Sequence, residues 1–362
     1  MEAMSSRIVV GMSGGVDSSV AAALLVERGY DVVGVTMRVW PAASADPAGR
    51  SGACCGSEAV DDARRVARTL GIPYYVLNMA AEFERTVIDR FAAEYRRGRT
   101  PVPCVACNAD LKFGSLLARA RAWDAAGVAT GHYARVTRDD ATGRYLLWRG
   151  RDERKDQSDF LWPLTQAQLA AAHFPIGDFT KADVRAHARR LGLVTADKPE
   201  SQEICFVPDD DYRGFLRRRE PNLFRPGLIV DTAGAVLGTH AGVAGYTVGQ
   251  RRGLGVTASR PLYVLDIDAE ANRLTVGADV ELERDRLIAT GVNFIACEPP
   301  GEPMRVQARI RHGHRAAPAT VRARGDGTAE VVFDEPQRAI TPGQSVVWYL
   351  DDLVVGGGVI SR

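Results

Sequence analysis

The chain has 362 residues, 46% hydrophobic and 25% charged, with a formal net charge of +1. This balance excludes a disordered or fibrous chain and allows a buried core spread over two or three domains. Met1 to Ser6 is short and no apolar run approaches the roughly 20 residues that span a bilayer, so a cytoplasmic location is expected.

From residue 7 to about 133, apolar strands alternate with amphipathic helices. Strands are predicted at 8–12, 31–39, 74–78 and 128–132, and helices at 18–28, 57–70, 81–97 and 109–126. That order predicts an α/β domain, a parallel sheet wrapped by helices, with ligands gathered at the carboxyl ends of its strands. A hairpin turning at 141–144 and a helix over 181–191, ended by Gly192, complete a first domain at 1–207. Short β-rich pieces with many glycines then predict a small β-rich central domain at 208–280. Strands at 305–310, 320–323, 329–333 and 345–350 predict a C-terminal β-barrel at 281–362.

The first predicted strand runs directly into Ser13-Gly14-Gly15-Val16-Asp17-Ser18-Ser19 and then a helix. Glycines at a strand-to-helix turn let backbone N–H groups close on an anion, and the helix N-terminus adds a favourable dipole. Asp17 would repel bare phosphate, so it is expected to act through Mg²⁺ bound to the phosphates. No Lys follows the glycines, which excludes a Walker loop. A tight turn with Asp17 or Ser18 as helix cap is the bland alternative.

Six cysteines (Cys54, Cys55, Cys104, Cys107, Cys205 and Cys297) point to reactive or metal-binding thiols rather than structural disulfides. Cys107 stands beside a predicted helix start, where exposed N–H groups favour thiolate. The Cys104-x-x-Cys107 spacing also fits a dithiol pair, or half a zinc site completed by Cys54 and Cys55. Cys205 lies in a segment without amphipathic period, expected to be a mobile loop from which a thiol can carry sulfur as a persulfide. Inert packing is the alternative for each, most of all for Cys297. Basic clusters at 96–99, 149–155, 217–219 and 251–252 are either solvated faces or contacts for a polyanion.

The phosphate-loop string resembles that of the ATP pyrophosphatases, whose fold is an adenine nucleotide α-hydrolase-like sheet. Over almost its whole length the chain resembles the tRNA-specific 2-thiouridylases, through GMSGGVDSS, PCVACN, TGHYAR, KDQSDFL, SQEICFV, GYTVGQRRGLGV and TPGQSVV. The resemblance implies ATP-dependent 2-thiolation of a wobble uridine, with release of AMP and pyrophosphate. It assigns Gly11, Met12, Ser13, Gly14, Gly15, Val16, Asp17 and Ser18 to ATP, with Met37 at the adenine and Gly131 lining the same site. Cys107 is implied as nucleophile and Cys205 as persulfide carrier, the two joined in a transient disulfide as sulfur is released. His132, Lys155, Asp156, Gln157, Arg311, His312 and Gln344 are implied to contact tRNA, with Val102, Pro103 and Cys104 against the target base. The implied partners are tRNA and a persulfide sulfur donor, and the implied cofactors are ATP and Mg²⁺.

Two positions depart from the family pattern. Val102 stands where Asn is usual and Asp159 where an aromatic is common. Some relatives carry Asp at the position of Cys104 and are thought to use it in acid-base catalysis, a role that does not move simply to a cysteine. Two rival functions are an ammonia-using synthetase of the ATP pyrophosphatase group and a tRNA-binding protein that keeps the loop as a relic.

Overall fold

The computed structural model describes residues 6–39, 57–199, 204–207 and 210–361. The chain divides into two units. The first comprises the described residues of 1–87, 104–206 and 352–354, and the second those of 88–103, 207–351 and 355–362.

In the first unit the β-branched run Ile8-Val9-Val10 makes β1 (Arg7–Gly11), the centre of a parallel sheet ordered β3-β2-β1-β4-β7. Its neighbours are β2 (Asp31–Arg38) and β4 (Gly127–Ala129), and β3 (Tyr74–Asn78) and the two-residue β7 (Ala172–His173) form the edges. Helices α1 (Val16–Glu27) and α2 (Ser57–Leu70) join the first three strands. Val20, Ala21 and Leu24 of α1 share a buried core with Ile8, Val10 and Val66. The chain steps outward from β1 to β3 and then returns to β1's other side with β4, so a crevice opens between the carboxyl ends of β1 and β4. The predicted hairpin is present as β5 (Ala134–Arg138) and β6 (Tyr145–Arg149), paired Arg138 to Tyr145.

The two long helices expected at 81–97 and 109–126 are broken. The first is α3 (Ala80–Phe83), a π turn (Glu84–Ile88) and α4 (Asp89–Arg96). The second starts earlier, as α5 (Pro103–Ala106), widens to a π-helix (Cys107–Leu116) and closes as α6 (Leu117–Arg121). Two short helical pieces follow: α7 (Gln166–Leu169), and α8 (Lys181–Arg190), which starts at a Thr180 capping box.

In the second unit, which includes α4, helix α9 (Tyr212–Arg219) stacks Tyr212 on Tyr95 of α4 and is tied to it by Arg219–Asp89 at 2.5 Å. A four-stranded sheet ordered β10-β11-β8-β9 follows, built from β8 (Gly227–Val230), β9 (Val236–His240), β10 (Tyr263–Asp268) and β11 (Arg273–Gly277). The last six strands are β12 (Glu283–Phe294), β13 (Met304–Arg309), β14 (Ala317–Ala323), β15 (Ala329–Arg338), β16 (Ser345–Leu350) and β17 (Leu353–Ile360). They run β12-β15-β14-β13-β16-β17, and β12 pairs back on β17, which closes a six-stranded barrel around Trp348, Val331 and Ala319. Among the described residues no helix is long and apolar enough to cross a membrane.

Candidate active site

The glycine string lies at the carboxyl end of β1. Gly14 is at φ +72°, and a Cβ on it would sit 2.2 Å from Ala59 O, so only glycine fits there. Ser18 Oγ accepts from Ser13 N at 3.1 Å and donates to Gly15 O at 3.2 Å, which folds the loop onto the helix start. Thr36 Oγ1 donates to Met12 O at 2.6 Å and is itself held by the Tyr74 hydroxyl at 2.7 Å. Among the described residues nothing accepts from the backbone N–H of Gly15, Val16, Asp17 or Ser18. These four donors form an anion-binding nest. Gly131, two residues beyond β4, packs on the same turn, and a Cβ there would lie 2.6 Å from Ser18 N. Met37 is in register with Leu77, two residues past the partner of Gly11 and hence at the same sheet edge.

Asp17 has a partner that the string does not reveal. Lys181 Nζ lies 2.8 Å from both Asp17 carboxylate oxygens, and the Tyr133 hydroxyl donates to Oδ1 at 2.8 Å. Lys181 is the first residue of α8, with its side chain only 13% exposed. A half-buried ammonium thus already offsets the Asp17 carboxylate at the mouth of the loop. A trace was visible in the sequence: a cation at a helix N-terminus opposes the helix dipole and calls for a nearby anion.

The π-helix carries Cys107 into the same unit. Its wide turns leave carbonyls out of α register, and Gln168 Nε2 of α7 takes two of them, Ala109 O at 2.9 Å and Phe113 O at 3.1 Å. Leu116, the last residue of the π-helix, faces Gly11. Asn108 and Lys112 connect the π-helix to His132, with Lys112 Nζ 2.9 Å from Asn108 Oδ1 and 3.5 Å from His132 Nε2. Cys104 is exposed, and Cys107, Cys205 and Cys297 are half-buried. Cys205 is followed by Phe206, whose ring meets Phe83 edge-on at 5.6 Å. Phe83 belongs to α3, which packs on the π-helix and is tied to α6 by the ion pair Glu82–Arg119. Phe206 thus anchors the Cys205 segment to the helix group bearing Cys107. Upstream, Lys198 pairs with Asp62 at 2.5 Å. The remainder of the expected mobile loop, 200–203, lies outside the described residues, as do Cys54 and Cys55. Among the described residues no three His, Cys, Asp or Glu side chains are grouped to hold a metal.

Two residues expected to touch tRNA have largely internal side chains. His132 is 8% exposed and shares a 2.7 Å hydrogen bond with Thr130 Oγ1. Burial, and secondarily the Lys112 charge, hold its pKa well below the usual imidazole value. Asp156 is 2% exposed and accepts from Gly150 N and Ser158 N, so it shapes its loop rather than presenting charge. Gln157 is half-buried and accepts from Tyr133 N at 3.1 Å, while Lys155 is half-buried beside them.

In the second unit, three distant motifs meet at Thr100. Its N–H donates to Pro342 O at 2.8 Å, its carbonyl accepts from Gln344 Nε2 at 2.9 Å, and its hydroxyl lies 3.3 Å from that of Thr247. Gly343, at φ +92°, presses against the Thr100 backbone. Gln344 therefore braces the chain leading into half-buried Val102 and buried Pro103. The arginines at 96–99 are likewise committed, Arg96 to Glu220 and Arg97 and Arg99 to Glu94. By contrast, among the described residues Arg311, Arg251 and Arg252 have no carboxylate partner, and Arg251, Arg252 and His312 are exposed. Burial and neighbouring Arg338 lower the Arg311 pKa from its usual value, as expected of a cation lacking a counter-ion.

A nest of backbone N–H groups at the switch point of a parallel sheet, with a cysteine-bearing π-helix in the same unit, defines an α/β protein with a glycine-rich strand-to-helix loop. Known proteins agree in fold. The profile of the tRNA methyl transferase HUP domain matches residues 6–209, that of the tRNA methyl transferase PRC-barrel domain 213–278, and that of the aminomethyltransferase beta-barrel domain 284–360. The tRNA-specific 2-thiouridylase MnmA of Acetivibrio thermocellus is 51% identical over 98% of this chain and 99% of its own. That of Moorella thermoacetica is 55% identical over 97% and 98%, and that of Heliobacterium modesticaldum 52% over 99% and 93%. The chain belongs to the family of tRNA-specific 2-thiouridylases.

Proposed function

We propose that the protein uses ATP to replace the 2-oxygen of a tRNA wobble uridine with sulfur. The observation that carries this is the meeting, in one unit, of the N–H nest at Gly15–Ser18 and the π-helix of Cys107. An ammonia-using synthetase has no need of the thiols. The methyl-transferase label of the domain profiles names a different transferred group, and nucleoside mass separates sulfur-for-oxygen exchange from an added methyl.

In the proposed sequence the flipped uridine presents its 2-oxygen to the α-phosphorus of ATP. The O–P bond forms and pyrophosphate leaves with its electron pair. The terminal sulfur of a Cys205 persulfide attacks C2, and AMP departs with the C2–O pair. The Cys107 thiolate then attacks Cys205 Sγ. The S–S bond breaks toward the transferred sulfur, leaving C2=S in the tRNA and a Cys107–Cys205 disulfide that a thiol reductant must reopen. Sulfur comes from a persulfide-bearing donor protein.

Residues 11–18 hold the triphosphate, with Met37 and Gly131 on the nucleoside side. Mg²⁺ fits here in a reduced role. Asp17 keeps lone pairs beyond those given to Lys181 and Tyr133, so it serves as one ligand while the phosphates supply others. The metal would supply charge neutralisation on the phosphates. Lys155, Gln157, Arg311 and His312 contact tRNA, and Arg251 and Arg252 join them as exposed cations. His132 and Asp156 belong to the contacts of the first unit and Gln344 to those of the second, and Val102 to Cys104 lie against the base. We assign the three regions 1–207, 208–280 and 281–362 to catalysis, a central β module and a tRNA-contacting barrel. A cytoplasmic location suits an enzyme that needs reduced thiols.

The test is mass spectrometry of tRNA nucleosides after incubation with ATP, Mg²⁺ and a persulfide donor. Wild type forms 2-thiouridine under turnover and Cys107→Ser and Cys205→Ser do not. Normal thiolation by Cys205→Ser would remove the relay.

A further inference from the structure

The crevice holds a second lysine, and its charge is not balanced as the first one's is. Among the described residues no carboxylate forms an ion pair with Lys112, whereas Lys181 has Asp17. Its two neighbours are neutral and are turned to hold a cation. An ammonium only donates, so His132 Nε2 must accept, and the ring proton sits on Nδ1, where it is donated to Thr130 Oγ1. Asn108 is 1% exposed and commits its amide to Phe160 O at 3.2 Å, which leaves its carbonyl oxygen to Lys112 at 2.9 Å. Two of the three ammonium protons are thereby used, and the third has no acceptor among the described residues. Desolvating a charge without an ionic partner is unfavourable, and such a group is most useful where an anion arrives. His132 follows Gly131, which packs on the first turn of α1 just past the carboxyl end of β4, so Lys112 is linked to the nest through two consecutive residues.

We propose that Lys112 is a catalytic residue for adenylation and binds a non-bridging oxygen of the ATP α-phosphoryl group as the uridine oxygen attacks it. The proposal rests on the ATP reading above. Negative charge gathers on the equatorial oxygens while the new O–P bond forms and the bond to pyrophosphate breaks, and a fixed cation acts most strongly there. Lys112 itself makes and breaks no covalent bond. A phosphate of the tRNA backbone offers the same anion chemistry, and the experiment has to separate the two sources.

Single-turnover pyrophosphate release, with saturating tRNA and ATP and no sulfur donor, does so. Lys112→Met is expected to slow release roughly 100-fold or more, the cost of removing one such donor, with tRNA affinity unchanged and folding checked by thermal melting. Lys112→Arg recovers part of the rate. Asn108→Asp sets a carboxylate against the retained ammonium and slows the same step, which keeps the test alive if Lys112→Met folds poorly. Equal release by wild type and both variants overturns the role of Lys112 alone. Weakened tRNA binding with normal release at saturation assigns Lys112 to the tRNA backbone and also overturns it. A wild type that releases no pyrophosphate defeats the ATP reading, and the proposal with it.

Discussion

Replacing Lys181 with methionine removes the cation that neutralises Asp17 while keeping most of the side-chain volume. The carboxylate then faces the phosphate nest bare. At roughly 5 Å and an effective dielectric of about 20, one unit of like charge costs about 3 kcal/mol. Because the Asp17 side chain is 31% exposed, solvent screening reduces this to roughly 1–2 kcal/mol. ATP affinity is therefore expected to fall about 5- to 30-fold, as measured by calorimetric titration of the tRNA-free protein at low salt. The double variant Asp17→Asn/Lys181→Met carries no charge at either position and is expected to regain most of that loss in the absence of Mg²⁺. Added salt is expected to narrow the gap between Lys181→Met and wild type. If Lys181→Met binds ATP as wild type does, or if the double variant binds more weakly than the single one without Mg²⁺, the electrostatic account of this pair is wrong.

Gly131→Ala places a Cβ 2.6 Å from the backbone of the α1 turn. It is expected to weaken ATP binding at least tenfold with a lowered melting temperature, and calorimetry and thermal melting check both. Gln168→Ala strands two π-helix carbonyls and is expected to destabilise the fold by about 1–3 kcal/mol, read by urea unfolding. Arg251→Ala with Arg252→Ala is expected to lower tRNA affinity and to flatten its dependence on salt, by about one unit of slope for each phosphate the pair neutralises. The His132 pKa is depressed in the fold, so the unfolded chain binds its proton first as pH falls below about 6.5. Stability contributed by the neutral imidazole is present above that pH and is lost below it, and His132→Gln is expected to make unfolding free energy less steep between about pH 6.5 and 5.

The local pattern was enough for the parallel sheet, the Gly14–Ser18 turn and the barrel strand at 345–350, because β-branched runs and glycine turns express short-range sterics. It also marked Cys107 and Cys205 by motif. It did not show the π-helix, since 109–126 reads as ordinary amphipathic helix and Gln168, which satisfies the widened turns, comes from α7. Nor did it show that Lys181 meets Asp17 across 164 positions, that Thr341–Gln344 and Thr247 converge on Thr100, or that His132 and Asp156 turn inward. Those are long-range pairings, and their partners are chosen by packing and by the need to satisfy buried polar groups rather than by neighbours in the chain. The glycine loop and the cysteine motifs were thus legible in the sequence, whereas the lysine that meets Asp17 of the loop was assigned only by the tertiary fold.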